Sequence, residues 1–222
     1  MIFSIQNIWS HVFLLHSKIL KRIEGLCNAF LWNDSDGSYE GARVSWERIC
    51  YPKCEGGLGI KYILVGIRIA WKKILKLQDD YALVDILDGT FQARKVLDVL
   101  RCRKDKVLWF KVLWGMVVPR FSFISWLVLL DPLSTKTRMS AWGCSIDPPC
   151  LMCCYENESR DHLFADCVYS RQVWEDILRS CLVRRSRSGW ADMVSWVLEY
   201  GRGRSLRAVA IRLAWRAYLY HI

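Results

Sequence analysis

Four residues in the last third of the chain are spaced like the ligands of one metal ion. Cys150, Cys153, His162 and Cys167 form the pattern Cys-x2-Cys-x8-His-x4-Cys. Three thiolates and one imidazole are a donor set that suits tetrahedral Zn²⁺. Because the protein fills all four positions, no position is left for a water molecule. We therefore predict a structural zinc site rather than a catalytic one.

Three points about this site stay open in the sequence. Cys154 directly follows Cys153 and is an alternative second ligand, although a gap of three residues after Cys150 is less usual than a gap of two. The spacing does not tell which imidazole nitrogen of His162 would face the metal. A chain with ten cysteines could also meet this spacing by chance.

Other arrangements that could carry chemistry are weak. Adjacent Asp79 and Asp80 could hold Mg²⁺, but such a pair is also typical of an exposed helix end, and we interpret it so. The glycine-rich run at 56–59 lacks the Gly-Lys-Ser/Thr sequence of a phosphate-binding loop, and we interpret it as a tight turn. The remaining histidines have no Ser or Cys partner that spacing singles out.

Composition narrows the class of protein. The chain has 222 residues, a formal net charge of +10 and 53% hydrophobic residues, which is too apolar for a disordered protein. No apolar run reaches the roughly 20 residues needed to cross a bilayer, so we expect no membrane partner. The apolar start lacks the charged segment and cleavage site of a signal peptide. We therefore expect an intracellular protein, nuclear or cytoplasmic, whose ten cysteines are thiols or metal ligands.

Basic residues concentrate near the end of the sequence. Between residues 182 and 222 there are eight arginines against one aspartate and one glutamate. Such a surface attracts nucleic-acid phosphates with a strong dependence on salt. The alternative is a merely solvated face. The candidate contacts to RNA or DNA are Arg184, Arg185, Arg187, Arg202 and Arg204.

The periodic spacing of apolar residues predicts the helices that would position the candidate site residues. Apolar residues over 17–32, among them Ile19, Leu26 and Phe30, fall on one stripe that predicts a half-buried helix. Further helices are predicted over 63–77, 93–100, 107–114, 121–130 and 135–142. Two more are predicted to begin at Ser170 and Ser205, each acting as an N-cap. Alternating polar and apolar runs are few, so the predicted fold class is mainly α.

Three short motifs surround the metal pattern. They are Val118-Pro119-Arg120-Phe121, Leu133-x-Thr135-x-x-Arg138 and His162-Leu163-Phe164-x-x-Cys167. Together they resemble the reverse-transcriptase zinc-binding domain of plant LINE-type (non-LTR) retrotransposons, over about residues 108 to 182. Earlier residues, including Phe30-Leu31-Trp32 and the run at 56–59, resemble the thumb and connector that follow the polymerase palm in that family.

The resemblance implies three parts: a thumb- and connector-like helical segment over 1–100, the zinc-binding domain over 107–182 and an Arg-rich helical segment over 183–222. It also implies structural Zn²⁺ and association with RNA or DNA. The palm motif Tyr-x-Asp-Asp, which would hold the catalytic metals, is absent from the sequence. We therefore expect a truncated, non-catalytic retroelement fragment rather than an enzyme. The alternative is a protein-interaction or scaffold remnant that binds no nucleic acid, and the oligomeric state stays open.

Overall fold

A computed structural model describes residues 17–32, 44–60, 103–114, 118–185 and 189–222 of the chain. These residues are mainly helical and form no β-strand beyond one isolated bridge between Pro149 and Asn157, which confirms the predicted fold class. The chain divides into two compact units, Met1–Lys106 and Val107–Ile222. The helices predicted over 63–77 and 93–100, and the Asp79-Asp80 pair, lie outside the described residues.

The described part of the first unit contains helices α1 (Ser17–Trp32) and α2 (Trp46–Cys50). Helix α1 has the predicted bounds, but its apolar stripe is not uniformly buried. Ile19, Leu26 and Phe30 are 50%, 65% and 87% exposed. The expectation of burial is therefore wrong at these three positions. The reason is that periodicity shows which side chains share a helix face, but not what covers that face.

The glycine-rich run forms the tight turn that we predicted. A short 3-10 turn at Lys53–Glu55 ends at Gly56, whose φ of 91° lies in the left-handed region that favours glycine. A Cβ atom on Gly57 would lie 2.0 Å from the carbonyl oxygen of Tyr51. The amide of Gly57 also donates to the carbonyl of Pro52 at 3.1 Å. The backbone path itself therefore requires glycine, with no need for a phosphate ligand.

The described helices of the second unit follow each other closely. Helix α4 (Pro119–Leu130) begins two residues before the predicted bound, at Pro119, whose fixed φ suits the first turn of a helix. None of the helices in the described ranges combines the length and apolarity needed to span a membrane. In chain order the helices are α3 (Phe110–Leu113), α4 (Pro119–Leu130), α5 (Lys136–Ala141), α6 (Val168–Ser180), α7 (Trp190–Tyr200) and α8 (Leu206–His221).

The predicted N-cap is correct for α8 and wrong for α6. Ser205 caps α8 as predicted, because its hydroxyl accepts a hydrogen bond from the amide of Ala208 at 3.2 Å. The prediction for α6 is wrong: Cys167 is its N-cap, and Ser170 is buried within the first turn. Leu182, two residues beyond the end of α6, is 90% exposed and has a φ of 57°.

Helix α8 organises the core of the second unit. It packs along α4 and also contacts α3, α6 and α7. Trp215, Tyr218 and Leu219 lie in this core with Trp174 of α6 and Val197 of α7. Burial of each large apolar side chain contributes about 1.5–3 kcal/mol to folding. The core therefore fixes the position of α6, whose N-terminus carries one of the predicted metal ligands.

Candidate metal centre

A tight hairpin presents the first two predicted ligands. The backbone folds back on itself after Pro148, so that the amide of Glu158 donates to the carbonyl of Pro148 at 2.9 Å. The amide of Cys150 likewise donates to the carbonyl of Glu156 at 2.7 Å. The chain reverses its direction between Cys150 and Glu156, so Cys153, at the tip of the hairpin, lies close to Cys150.

Helix α5 holds this hairpin in place. The Nζ atom of Lys136 donates to the carbonyl of Pro149 at 2.7 Å. The hydroxyl of Thr137 donates to the carbonyl of Glu158 at 2.9 Å, and its amide donates to the same oxygen at 3.2 Å. These bonds join the first turn of α5 to both sides of the hairpin, through Lys136 and Thr137, which occupy the two unspecified positions before Arg138 in the Leu133-x-Thr135-x-x-Arg138 motif.

A wide helical turn presents the other two predicted ligands. Residues His162–Asp166 form a π turn, in which the amide of Cys167 donates to the carbonyl of His162 at 2.7 Å. In a regular α-helix, two residues five positions apart point about 140° away from each other. The wider turn allows His162 and Cys167 to face the same point. Sequence spacing alone did not predict this turn.

The four predicted ligands converge on one point. One ligand atom each from Cys150, Cys153, His162 and Cys167 lies within 4.8 Å of all the others. Zn–S distances of about 2.3 Å and Zn–N distances of about 2.0–2.1 Å place tetrahedral ligand atoms roughly 3.5–4 Å apart, so this donor set fits the ion. Three of the residues are buried and Cys153 is half-buried. The structure thus brings together all four residues that the spacing singled out.

The other cysteines nearby lie outside this cluster. Cys154 is exposed, has a φ of 60°, and its Sγ lies 3.8 Å from the carbonyl of Leu151. Cys144 is exposed, and Cys181 packs half-buried against the core. The geometry therefore favours Cys153 over Cys154 as the second ligand.

Glu156 orients the imidazole. Its Oε2 atom lies 3.0 Å from Nδ1 of His162, whereas Nε2 of the same ring lies 3.2 Å from Sγ of Cys153. A neutral imidazole protonated at Nδ1 donates to the carboxylate and keeps the Nε2 lone pair for a metal. The geometry thus points to Nε2 as the metal-facing nitrogen, which the sequence left open.

The electrostatic environment distinguishes two of the thiols. Hydrogen bonds from the backbone amides of Glu156 and Tyr155 lower the pKa of the Cys153 thiol to about 6. Burial raises the pKa of the Cys150 thiol. Zinc binds the thiolate form of cysteine, so Cys153 reaches the binding form more readily than Cys150.

The candidate nucleic-acid contacts Arg184, Arg185 and Arg187 do not all face solvent. Arg185 turns towards the protein: its guanidinium lies 5.0 Å from the ring centre of Trp196, and it donates to the carbonyl of Asp192 at 3.1 Å. Burial lowers the pKa of Arg185. Arg184 is exposed, and Arg187 lies outside the described residues.

The second group lies on one exposed turn. Arg202 and Arg204 are exposed between α7 and α8, and Arg207 is exposed in the first turn of α8. Arg207 was not among the predicted contacts. The signal that could have found it is the lack of any aspartate or glutamate over residues 200–222.

Comparisons with known proteins identify the domain that surrounds the cluster. The profile of a family described as zinc-binding in reverse transcriptase matches residues 91–174, which include all four predicted ligands. A protein of Arabidopsis thaliana, provisionally named a ribonuclease H protein, is 40% identical over 48 residues, which are 22% of this chain and 8% of that relative. The chain thus spans less than a tenth of the relative's length. No solved structure matches the chain. Over residues 91–174 the chain therefore carries a zinc-binding domain of the kind found in reverse transcriptases.

Proposed function

We propose that this chain uses Cys150, Cys153, His162 and Cys167 to bind one structural Zn²⁺, and that its helical second unit contacts RNA or DNA without catalysing a reaction. The observation that carries the proposal is the closed, largely buried set of three thiols and one imidazole. Such a set leaves no position for a substrate or a water molecule on the metal.

A zinc ion would stabilise the fold by joining two local elements. Two of the ligands lie on the hairpin, and two lie on the π turn that leads into α6. When bound, the ion supplies a cross-link between these elements, so the free energy of binding becomes free energy of folding. The thiols stay available for the metal in a reducing, intracellular compartment.

Two observations support a nucleic-acid partner. The chain carries a formal net charge of +10, which favours a polyanion. The family profile belongs to reverse transcriptases, and the Arabidopsis relative is named for ribonuclease H, so both names refer to enzymes that act on nucleic acids. A non-catalytic contact to RNA or DNA fits both observations.

The metal content of the purified full-length chain tests the first part of this proposal. Elemental mass spectrometry is expected to give one zinc ion per chain, in line with the single Cys3His cluster of the described residues. Removal of the metal by a strong chelator is expected to lower the helical circular dichroism signal, because metal binding and local folding are coupled. A metal-free chain with unchanged helicity would overturn the structural zinc.

The non-catalytic part is tested with a primed template. The chain with Mg²⁺, deoxynucleotides and a primed RNA or DNA template is expected to extend no primer, because the sequence lacks the palm motif. Primer extension that is lost on Asp79→Asn together with Asp80→Asn would show that the chain is an enzyme.

A protein-interaction role is the second candidate. The exposed Leu26 and Phe30 of α1 favour it, since exposed apolar side chains on one helix are typical of contact surfaces. Failure of the chain to bind RNA and DNA even at low salt would favour this function over the first.

A further inference from the structure

We infer that the segment from Tyr200 to Arg207, named here the α7–α8 turn, contacts the sugar–phosphate backbone of a single-stranded nucleic acid. The inference rests on the proposed function and locates its contact surface. It depends on three features of the segment: unbalanced positive charge, a backbone that is already held in place, and an exposed aromatic ring.

The positive charge of the α7–α8 turn exceeds the negative charge around it, since the nearest acidic residue in the sequence is Glu199, directly before the turn. Arg202, Arg204 and Arg207 are exposed, and within the described part of the chain none of them forms an ion pair or a side-chain hydrogen bond. Residues 200–222 contain five arginines and no aspartate or glutamate. Three free guanidinium groups within six residues form a strong local attraction for phosphates.

Other arginines of the second unit are engaged differently. Arg160 lies 2.6 Å from a carboxylate oxygen of Asp161, and Arg179 lies 2.8 Å from one of Asp176. A phosphate that approached these arginines would have to compete with a carboxylate. At the α7–α8 turn, a phosphate would displace no ion pair described for the three arginines.

Arg212 holds the backbone of the α7–α8 turn from within α8. Its NH1 atom donates to the carbonyl of Gly201 at 2.6 Å and to that of Gly203 at 2.9 Å. At the end of the turn, the hydroxyl of Ser205 accepts the amide of Ala208. A backbone fixed in this way loses little conformational entropy when a ligand binds, which favours affinity.

Tyr200 adds a surface on which a base can stack. Its side chain is 50% exposed, and its ring packs on Trp196 with the ring centres 5.3 Å apart and the planes at 28°. Stacking of one base on an aromatic side chain is worth about 1–3 kcal/mol in proteins that bind single strands. The bases of a duplex are already stacked on each other. The ring beside the arginines therefore favours a single strand over a duplex.

Fluorescence anisotropy with the full-length chain tests this inference. The probes are labelled oligouridylate, oligo(dT) and a DNA duplex, each titrated over a range of salt concentrations. One variant replaces Arg202, Arg204 and Arg207 with Gln. The matched control removes the same charge elsewhere on the second unit, by replacing Lys111, Arg120 and Arg179 with Gln.

The variant in the α7–α8 turn is expected to bind both single strands about 10-fold or more weakly than the unaltered chain. Its slope of log affinity against log salt is expected to fall by about 2, because three phosphate contacts contribute about 0.7 each on a single strand. The control is expected to change affinity less than about 3-fold. Tyr200→Leu is expected to weaken binding about 5-fold with an unchanged salt slope, since it removes stacking but no charge.

The outcomes separate this inference from the proposed function. An unaltered chain that binds none of the three probes contradicts both. Binding by the unaltered chain, with equal salt slopes for the two triple variants, overturns the inference alone. Tighter binding of the duplex than of either single strand overturns the assignment to single strands. Competition by polyglutamate as effective as that by oligouridylate would show a general affinity for polyanions instead. Circular dichroism checks that every variant is folded.

Discussion

The carboxylate of Glu156 accepts a hydrogen bond from Nδ1 of His162 at 3.0 Å, while Nε2 of the same ring faces the Sγ atom of Cys153 at 3.2 Å. The two ring nitrogens therefore have different partners. A carboxylate on one nitrogen fixes both the tautomer and the rotation of an imidazole, and so directs the other nitrogen. The side chain of Glu156 is largely exposed, with 72% of it accessible, and its carboxylate contacts this histidine.

The first prediction concerns the affinity for zinc. Glu156→Ala is expected to weaken zinc binding about 10–100-fold, because loss of the partner of a ligating histidine has effects of this size. Glu156→Gln is expected to lose less, since its amide oxygen still accepts the Nδ1 hydrogen. Competition with a chromophoric chelator measures both. The exposed Asp147 provides the control, because Asp147→Asn removes a nearby negative charge without touching His162.

The same hydrogen bond predicts a spectroscopic signature. In the long-range ¹H–¹⁵N spectrum of the zinc-loaded chain, the ring of His162 is expected to show a proton on Nδ1 and a metal on Nε2. Glu156→Ala is expected to broaden or shift this pattern, and Glu156→Gln is expected to restore it. A metal on Nδ1, or an Ala variant with unaltered zinc affinity, would contradict the positioning role of Glu156.

The second prediction concerns the choice between adjacent cysteines. Cys150→Ser and Cys153→Ser are each expected to abolish stable zinc binding and to unfold the region around residues 145–182, because each removes a predicted ligand. Cys154→Ser is expected to retain the metal, since its thiol lies outside the cluster. Elemental analysis counts the zinc, and hydrogen exchange reports the local unfolding. Zinc lost from the Cys154 variant but kept by the Cys153 variant would reverse the assignment.

The third prediction tests the support that α8 gives to the metal-binding region. The hydroxyl of Tyr218 donates to the carbonyls of Phe164 at 2.9 Å and Ser170 at 3.2 Å, and the side chain is buried. Tyr218→Phe removes these bonds and is expected to lower the free energy of unfolding by about 1–3 kcal/mol. Tyr220→Phe, on the exposed side of the same helix, is expected to change it by less than about 0.5 kcal/mol. Urea unfolding of the zinc-loaded chain measures both. Equal effects would show that the buried bonds contribute nothing particular.

The fourth prediction concerns the buried Arg216. Its NH1 atom donates to the carbonyl of Leu113 at 2.9 Å, an oxygen that also accepts the hydroxyl of Ser122 at 2.9 Å. Burial lowers the pKa of Arg216 to about 10, as expected for a cation removed from water. Arg216→Ala is expected to cost about 2–5 kcal/mol through the cavity that it leaves. Arg216→Met fills most of that space without a buried charge, and is expected to cost less. A Met variant as unstable as the Ala variant in thermal unfolding would show that the hydrogen bond, rather than packing, dominates.

The four clustered residues could be predicted from the sequence because their spacing is short and local. Each pair lies within one turn of backbone, so Cys-x2-Cys and His-x4-Cys already restrict their geometry. The π turn between His162 and Cys167 was not predicted, because one extra residue per turn leaves no distinct pattern in composition. The partner of His162 was missed for a similar reason. Glu156 is brought to the ring by the fold of the hairpin rather than by a recognised motif.

The helix ends and helices were predicted with unequal success, as two N-caps and one helix show. Ser205 was correct as a cap, because its hydroxyl accepts the amide of Ala208. Ser170 was not, because the chain becomes helical directly after Cys167 and buries the serine. Helix α7 was missed, although Trp190, Met193 and Val197 lie on one buried face. The arginines at 202 and 204 could be listed from charge, whereas the inward turn of Arg185 depends on Trp196, which only the fold brings close.

Helix α8 has a consequence for the order in which the second unit can form. Arg216 and Tyr218 bond to carbonyls of residues 103 and 54 positions earlier in the chain. The apolar faces of α4 and α6 therefore lack this partner until α8 has been synthesised. Until that helix emerges, the nascent chain exposes the apolar side chains that pack against α8 in the folded unit. Stable folding of the second unit is thus expected only once α8 has emerged from the ribosome.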